Sequence, residues 1–121
     1  MNTWKVTGSD SLPTLSDRFA HIVSAIDQIE ECLQGLSPQQ FAQDRVLPLV
    51  LERFLEIISV ATDHIPADIK RTDATVDWKS LNAIGRRLER TSERVGGETL
   101  WDIAQHKLAA LKAFATRHVA T

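Results

Sequence analysis

The residues best suited to chemistry in this sequence are four arginines, Arg86, Arg87, Arg90 and Arg94. On a helix, at about 100° per residue, they fall on one side, opposite an apolar stripe of leucine and isoleucine. The planar guanidinium group can form paired hydrogen bonds with a phosphate or a carboxylate. The cluster is therefore interpreted in one of two ways. It either binds a phosphate group or an acidic partner, or it is only a solvated face of the helix.

Few other residues have the spacing of a reactive site. Asp102 and His106 are four residues apart, which is typical of a surface contact on a helix, with a metal or proton-transfer role as the alternative. Cys32 is the single cysteine, so an intrachain disulfide and a cysteine-rich zinc site are excluded. The sequence has no glycine-rich phosphate loop and no GxSxG or HExxH motif. We therefore predict no metal and no cofactor.

Length and composition indicate one globular domain. The chain has 121 residues, of which 43% are hydrophobic and 25% charged, with a formal net charge of −2. These are ordinary globular values, and they give no general attraction to nucleic acid. No apolar run approaches the ~18 residues of a membrane span, and the first residues lack a signal-peptide pattern. We expect a flexible leader over residues 1–12, a single helical domain over residues 13–121, a cytoplasmic location and no membrane partner.

Apolar residues recur at intervals of three and four along most of the chain, which predicts helices and no strands. Four main helices are predicted, over Pro13 to Gln34, Asp44 to Pro66, Asp77 to Gly96–Gly97, and Thr99 to near the C-terminus. A capping box at Ser37–Gln40 predicts a short helical turn, and the connector 67–77 holds another. Trp78 and Trp101, near the starts of the last two helices, are expected to pack together. The predicted fold class is all-α, an up-and-down bundle of four main helices plus short helical turns.

The order of several short motifs resembles the HepT-like branch of the HEPN superfamily. The resemblance covers most of the chain, from about Thr14 to Phe114. The residues that carry it are Gly35 to Phe41, Asp44, Leu55 to Ala61, Ile65-Pro66, Trp78, Ile84-Gly85, Leu88 and Leu100 to Ile103.

The resemblance implies a helical bundle that dimerises. Members of this family are toxins of bacterial toxin–antitoxin pairs, encoded beside a minimal nucleotidyltransferase antitoxin. Active members are metal-independent ribonucleases with an Arg-x(4–6)-His motif, usually Arg-Asn-x-Leu-x-His-x-Tyr, that faces the dimer cleft. The histidine transfers protons and the arginine stabilises phosphate charge, while the tyrosine can receive AMP from the partner enzyme.

This sequence departs from that motif at every functional position. Alignment on Ile84, Leu88 and Trp101 places Gly85 at the family's arginine and Arg86 at its asparagine. The same alignment places Arg90 at the histidine and Ser92 at the tyrosine. Arginine has a pKa above ~12 and cannot exchange a proton near neutral pH. We therefore expect no catalytic residues at these positions.

Three functions remain open from the sequence. The first is a HepT-like protein that is inactive as a ribonuclease and acts as a homodimer, with a nucleotidyltransferase-type partner, or both. The second is a toxin ribonuclease with a remodelled site that uses Arg86, Arg90 and a carboxylate such as Glu89 or Glu93. The third is an RNA- or nucleotide-binding module that uses the arginine face.

Overall fold

The computed structural model describes residues 12–90 and 95–119, and all regular structure in these ranges is helical. The helices are α1 (Leu15–Leu33), α2 (Pro38–Gln43), α3 (Leu47–Asp63), α4 (Ala67–Lys70), α5 (Trp78–Glu89), α6 (Gly97–His106) and α7 (Leu108–Val119). None of these helices is long and apolar enough to cross a membrane. The predicted all-α class is confirmed. Residues 1–11, nearly all of the predicted leader, lie outside the described residues.

Reciprocal capping boxes determine where α1 and α2 begin. At α1, the hydroxyl of Thr14 accepts the Asp17 N–H at 3.0 Å, and the Asp17 carboxylate accepts the Thr14 N–H at 2.8 Å. Ser37 and Gln40 form the same pair of bonds at α2, with distances of 3.1 and 2.9 Å. Each box satisfies N–H groups that have no partner within the helix. The predicted box at Ser37–Gln40 is therefore confirmed.

Helix α3 follows a turn that is held by Asp44. One carboxylate oxygen of Asp44 accepts the N–H groups of Val46 and Leu47, each at 2.8 Å. These bonds lower the pKa of Asp44, because they favour the ionised carboxylate. Pro48 lies in the first turn of α3, where its missing N–H costs no helical bond.

The third predicted helix ends earlier than expected. Helix α5 stops at Glu89, and Arg90 has extended backbone angles (φ −83°, ψ 113°). The prediction that this helix runs to Gly96–Gly97 is wrong. A continued helix would place Arg90 one turn above Arg86 and Arg87, and such like-charge neighbours are unfavourable. Thr91 and Ser92, which come next in the sequence, are also weak helix formers.

The glycine pair starts a helix instead of ending one. Gly96 is the N-cap of α6 and Gly97 is its first residue, so the predicted helix start at Thr99 is wrong by two residues. The fourth predicted helix is also divided in two, because α6 ends at His106 and α7 begins at Leu108. The intervening Lys107 is turned toward α5, where its ammonium group donates to the Asp77 carboxylate at 3.0 Å.

The core is formed where α1 packs between α3 and α7. The C-terminal part of α1 lies beside the first turns of α3, and its N-terminal part lies beside the last turns of α3. The two helices are therefore antiparallel. Helix α5 packs on α3, and α6 packs on α2, α3 and α7. The largest fully buried side chains are Phe19, Phe41, Phe114, Ile22, Ile26, Ile29, Leu55, Ile58, Leu100, Leu108 and Leu111.

The two tryptophans near the starts of α5 and α6 have different partners. Trp78 packs edge-on against Phe114 with ring centroids 5.1 Å apart, and its indole N–H donates to the Lys70 carbonyl at 3.0 Å. Trp101 packs on Phe41 at 5.4 Å. The expectation that the tryptophans pack together is wrong, because one ring is turned toward α7 and the other toward α2.

Candidate functional site

Gly85 lies at a close crossing of α5 and α3. It is buried, and a Cβ atom at this position would lie 2.1 Å from the Ser59 hydroxyl oxygen and 3.0 Å from the Ser59 Cβ. Distances this short require one of the two helices or side chains to move. Ser59 therefore occupies the space in which a side chain at position 85 would begin.

The arginine cluster is not one continuous helical face. Arg86 is exposed and Arg87 half-buried in the last turn of α5, while Arg90 lies beyond the end of the helix. Arg94 and Ser92 lie outside the described residues. Cations in the last turn of a helix are stabilised by its unpaired carbonyl groups. Arg86 and Arg87 can therefore stabilise the end of α5, whether or not they also bind a ligand.

A groove of about 340 Å³ opens beside Gly85, between α1, α3 and α5. We call it the Gly85 groove. Helix α3 forms its floor, with Arg53, Glu56, Ile57 and Val60 at helical spacing along one side. Helix α1 contributes Arg18 and His21 to the lining, and α5 contributes Gly85 and Glu89. Charged side chains of both signs therefore line the groove.

Four charged side chains of the Gly85 groove have no direct contact with another charged or polar side chain in the described residues. Over residues 12–90 and 95–119, the side chains of Arg18, Arg53, Glu56 and Glu89 form no ion pair or side-chain hydrogen bond. Other charges on the same helices are paired, such as Lys112 with Asp27 at 2.8 Å. The groove thus holds charged groups that remain available to a ligand or a partner.

Comparison with known proteins decides the family. A model of the family described as "Ribonuclease HepT-like" matches residues 22–118, which is most of the chain. The chain belongs to the HepT-like family. The resemblance seen in the sequence is thus confirmed. The match runs from within α1 into α7, and Arg18 and His21 of the Gly85 groove precede it.

Two relatives of this HepT-like chain are named as ribonucleases. "Probable ribonuclease HepT" of Thermococcus cleftensis is 28% identical over 96 residues, which cover 79% of this chain and 87% of the relative. "Putative RNase TTE0752" of Caldanaerobacter subterraneus subsp. tengcongensis is 25% identical over 92 residues, covering 76% and 82%. No solved structure gives a significant match.

The remaining candidates from the sequence lie elsewhere on the HepT-like bundle. His106 Nε2 is 3.9 Å from an Asp102 oxygen, and both side chains are mostly exposed on α6, as expected for a surface pair. Cys32 is half-buried on α1 beside apolar residues of α3. In the described ranges, no three histidine, cysteine, aspartate or glutamate side chains are grouped so that they could hold a metal ion.

Sequence analysis did not identify Arg18 and His21 as candidate site residues. They are three residues apart and share one face of α1. Their placement in one groove with Glu89 depends on the packing of α1 and α5 on the two sides of α3. The only local signal was a basic pair on the flank of the apolar stripe of α1, and that pattern is common on solvated helices.

Proposed function

We propose that this HepT-like protein does not cleave RNA by the mechanism of its family, and that it acts by association. Its associations are a homodimer and a complex with a nucleotidyltransferase-type partner of a bacterial toxin–antitoxin-type system. The observation that carries the proposal is the crossing at Gly85. Because Ser59 occupies the space beside Gly85, a side chain at this position of α5 requires at least the Ser59 side chain to move.

The chemistry at Arg90 supports the same conclusion. General acid–base help from a positioned side chain accelerates a reaction by about 10²–10⁴-fold. Arg90 stands at the family's histidine position, and a guanidinium can stabilise phosphate charge but cannot take the proton of a ribose 2′-hydroxyl. The family's proton-transfer step therefore has no carrier at this position.

An exposed apolar surface at the start of α3 supports the homodimer. Val46 and Leu49 are 61% and 49% exposed, and they lie about one turn apart on the same side of the chain. In a twofold dimer this surface would pack against the second copy and the same contact would occur twice, so that the exposed patches of both protomers are covered. Leu49 is about 17 Å along α3 from Val60 in the Gly85 groove, at ~1.5 Å per residue.

The test combines an association measurement with a ribonuclease assay. By light scattering at micromolar concentration, we expect about twice the 13.5 kDa of one chain. Leu49→Asp should give the monomer. Leu12→Asp is the matched control, since Leu12 is 83% exposed outside this surface. A purely monomeric wild type would contradict the dimer, and metal-independent RNA cleavage that Arg90→Ala abolishes would contradict the loss of the family mechanism.

Co-purification tests whether the protein binds a nucleotidyltransferase-type partner. The protein is co-expressed with the product of the neighbouring gene, and the two are purified through a tag on one of them. We expect a stable complex with a nucleotidyltransferase. If that neighbour is unrelated to nucleotidyltransferases or fails to co-purify, the toxin–antitoxin part of the proposal is wrong.

One observation favours a remodelled ribonuclease as the second candidate. His21 lines the groove that also holds Gly85 and Glu89, so an imidazole, which can accept and donate a proton, is present there. His21 would take the proton of the 2′-hydroxyl as its oxygen attacks phosphorus, and would return it to the departing 5′-oxygen. RNA cleavage that is lost in His21→Gln and retained in Arg90→Ala would establish this candidate.

A further inference from the structure

We propose that two copies of this chain recognise each other through an antiparallel contact between their α3 helices, in which Arg53 of each copy meets the partner's Glu56. The same contact places Leu49 against the partner's Val60. The inference rests on the homodimer of the proposed function and deepens it, because it names the helix face and the register of the contact.

Helix α3 carries four residues in a line on the side that is turned away from the core. They are spaced four, three and four residues apart, so at ~100° per residue they lie within about 60° of each other around the helix. We call this line the α3 stripe, and its members are Leu49, Arg53, Glu56 and Val60. The buried Leu55 and Ile58 lie on the opposite side of the helix. The spacing is that of helices that pack along a shared seam.

The order of residue types in the α3 stripe is complementary to itself when it is reversed. It runs from an apolar to a basic, an acidic and an apolar residue, and a twofold axis across antiparallel helices reverses this order in the second copy. An axis midway between Arg53 and Glu56 places each guanidinium opposite the partner's carboxylate. The same axis is midway between Leu49 and Val60, so both apolar ends are covered together.

The two charges of the α3 stripe are free to pair across an interface. Arg53 and Glu56 are three residues apart on one helix, a spacing at which opposite charges can pair. Within residues 12–90 and 95–119, however, neither forms an ion pair with the other or with any other side chain. Association through this face therefore breaks no existing contact, and it gives each charge a partner of opposite sign.

Other arrangements of two α3 helices are less complementary. A parallel pair would place Arg53 beside the partner's Arg53, and like charges in an interface are unfavourable. A twofold axis at Leu49 would cover this leucine, but Val60 would then lie beyond the end of the partner's α3. Val60 is 54% exposed and Leu49 is 49% exposed, so an axis that covers both removes more apolar surface from water.

The contact also places the second copy on the Gly85 groove. Arg53, Glu56 and Val60 line this groove, and in the proposed register the partner's Leu49 lies against Val60 at its edge. The groove is therefore completed by a residue of the second chain.

Exchange of the two charges tests the register. Arg53→Glu and Glu56→Arg each create two like-charge contacts in the homodimer, and each should raise the dissociation constant of the dimer at least about tenfold. An equimolar mixture of the two variants restores opposite charges at both contacts, so we expect a mixed dimer, which native mass spectrometry distinguishes by mass. The double variant should dimerise like the wild type. Arg71→Glu is the control, because Arg71 is an exposed arginine at the end of α4.

Disulfide formation gives a second test that does not depend on charge. The background is Cys32→Ser, and Leu49→Cys and Val60→Cys are introduced on separate chains. The two copies of residue 49 would be about 17 Å apart along the helices, at ~1.5 Å per residue, whereas a disulfide needs Cα atoms within about 7 Å. We therefore expect a covalent dimer after oxidation of the mixture, and none from either variant alone.

The possible failures can be told apart. A dimeric wild type without a preference for the mixed dimer, or a disulfide between two copies of residue 49, overturns the register and leaves the homodimer standing. A monomeric wild type overturns both the homodimer and this inference. Thermal denaturation checks that each variant is folded, and the mixed dimer provides evidence from the same two chains that fail to associate alone.

Discussion

The ammonium group of Lys107 lies 3.0 Å from a carboxylate oxygen of Asp77, and this contact joins the break between α6 and α7 to the N-terminus of α5. Asp77 also accepts the backbone N–H of Ser80 at 3.0 Å and the Ser80 hydroxyl at 2.8 Å. The cap of α5 is thus part of a contact between distant segments of the chain.

We expect this contact to make stability depend on acid pH. The Ser80 N–H, then Lys107, then the Ser80 hydroxyl lower the pKa of Asp77 from 3.8 to about 2. The folded state therefore favours the ionised carboxylate. This contribution is complete above pH ~4 and is lost as the pH falls toward ~2. Asp77→Asn, which keeps a good N-cap residue, should lower the free energy of unfolding at pH 5–7 and approach the wild type near pH 2.

Urea denaturation at several pH values measures this difference. Asp63→Asn is the control, because Asp63 is an exposed aspartate at the end of α3. A constant difference between Asp77→Asn and the wild type from pH 7 to pH 2 would show that the carboxylate charge does not contribute.

The crossing of α3 and α5 predicts an unusual effect of alanine. In a helix, Gly→Ala normally stabilises by up to ~1 kcal/mol, but overpacking costs about 1–3 kcal/mol. Because the added Cβ would lie 2.1 Å from the Ser59 hydroxyl oxygen, we expect Gly85→Ala to lower the free energy of unfolding by roughly 1 kcal/mol. Gly97→Ala, where the nearest atom is 3.9 Å away, should not be destabilising.

A double-mutant cycle separates the clash from other effects. Adding Ser59→Gly to Gly85→Ala should recover stability relative to the sum of the single changes. If the effects of the two single changes on the free energy of unfolding simply add, then Ser59 rotates away from the new side chain and the crossing tolerates it.

Restoring the family motif requires a change in α3 as well as in α5. We expect Arg90→His alone to give little or no ribonuclease activity, because residues that act as a unit are not additive. The adequate variant combines Gly85→Arg, Arg86→Asn, Arg90→His and Ser92→Tyr with Ser59→Gly. Cleavage of a labelled RNA without metal is the measurement, and strong activity of Arg90→His alone would contradict this interpretation.

Phe114 is predicted to be among the most sensitive core positions. Its ring is fully buried and contacts Phe19 at 5.8 Å, Trp78 at 5.1 Å and His118 at 4.5 Å between centroids. Phe114→Ala should cost about 3–5 kcal/mol, as is usual for a large-to-small change in a core. Thermal denaturation checks this, and the half-buried Phe54, changed to alanine, should cost clearly less.

Features that depend on neighbouring residues were predictable from the sequence. The box at Ser37–Gln40 and the cap at Asp77 are formed within three residues, so they are visible in the chain itself. Asp44 instead holds the turn before α3, whose N-cap is Val46. The apolar periodicity was sufficient for the all-α class and placed Gly85 in a helix.

Features that depend on packing were not predictable. The partners of Trp78 and Trp101 lie 36 and 60 residues away in sequence. The end of α5 and the break at Lys107 involve contacts or charges that the apolar periodicity does not show. Arg18 and His21 join the Gly85 groove only because α1 and α5 flank the same helix.

The break at Lys107 also divides the bundle into parts that can open separately. Helix α7 is packed chiefly on α1, whereas α6 divides its contacts between α2, α7 and α3. Because no continuous helix joins α7 to α6, α6 can leave the core without unwinding α7, once Leu100, Ile103 and the Trp101–Phe41 contact separate from their neighbours. Amide hydrogens of α6 should then exchange with solvent faster than those of α7.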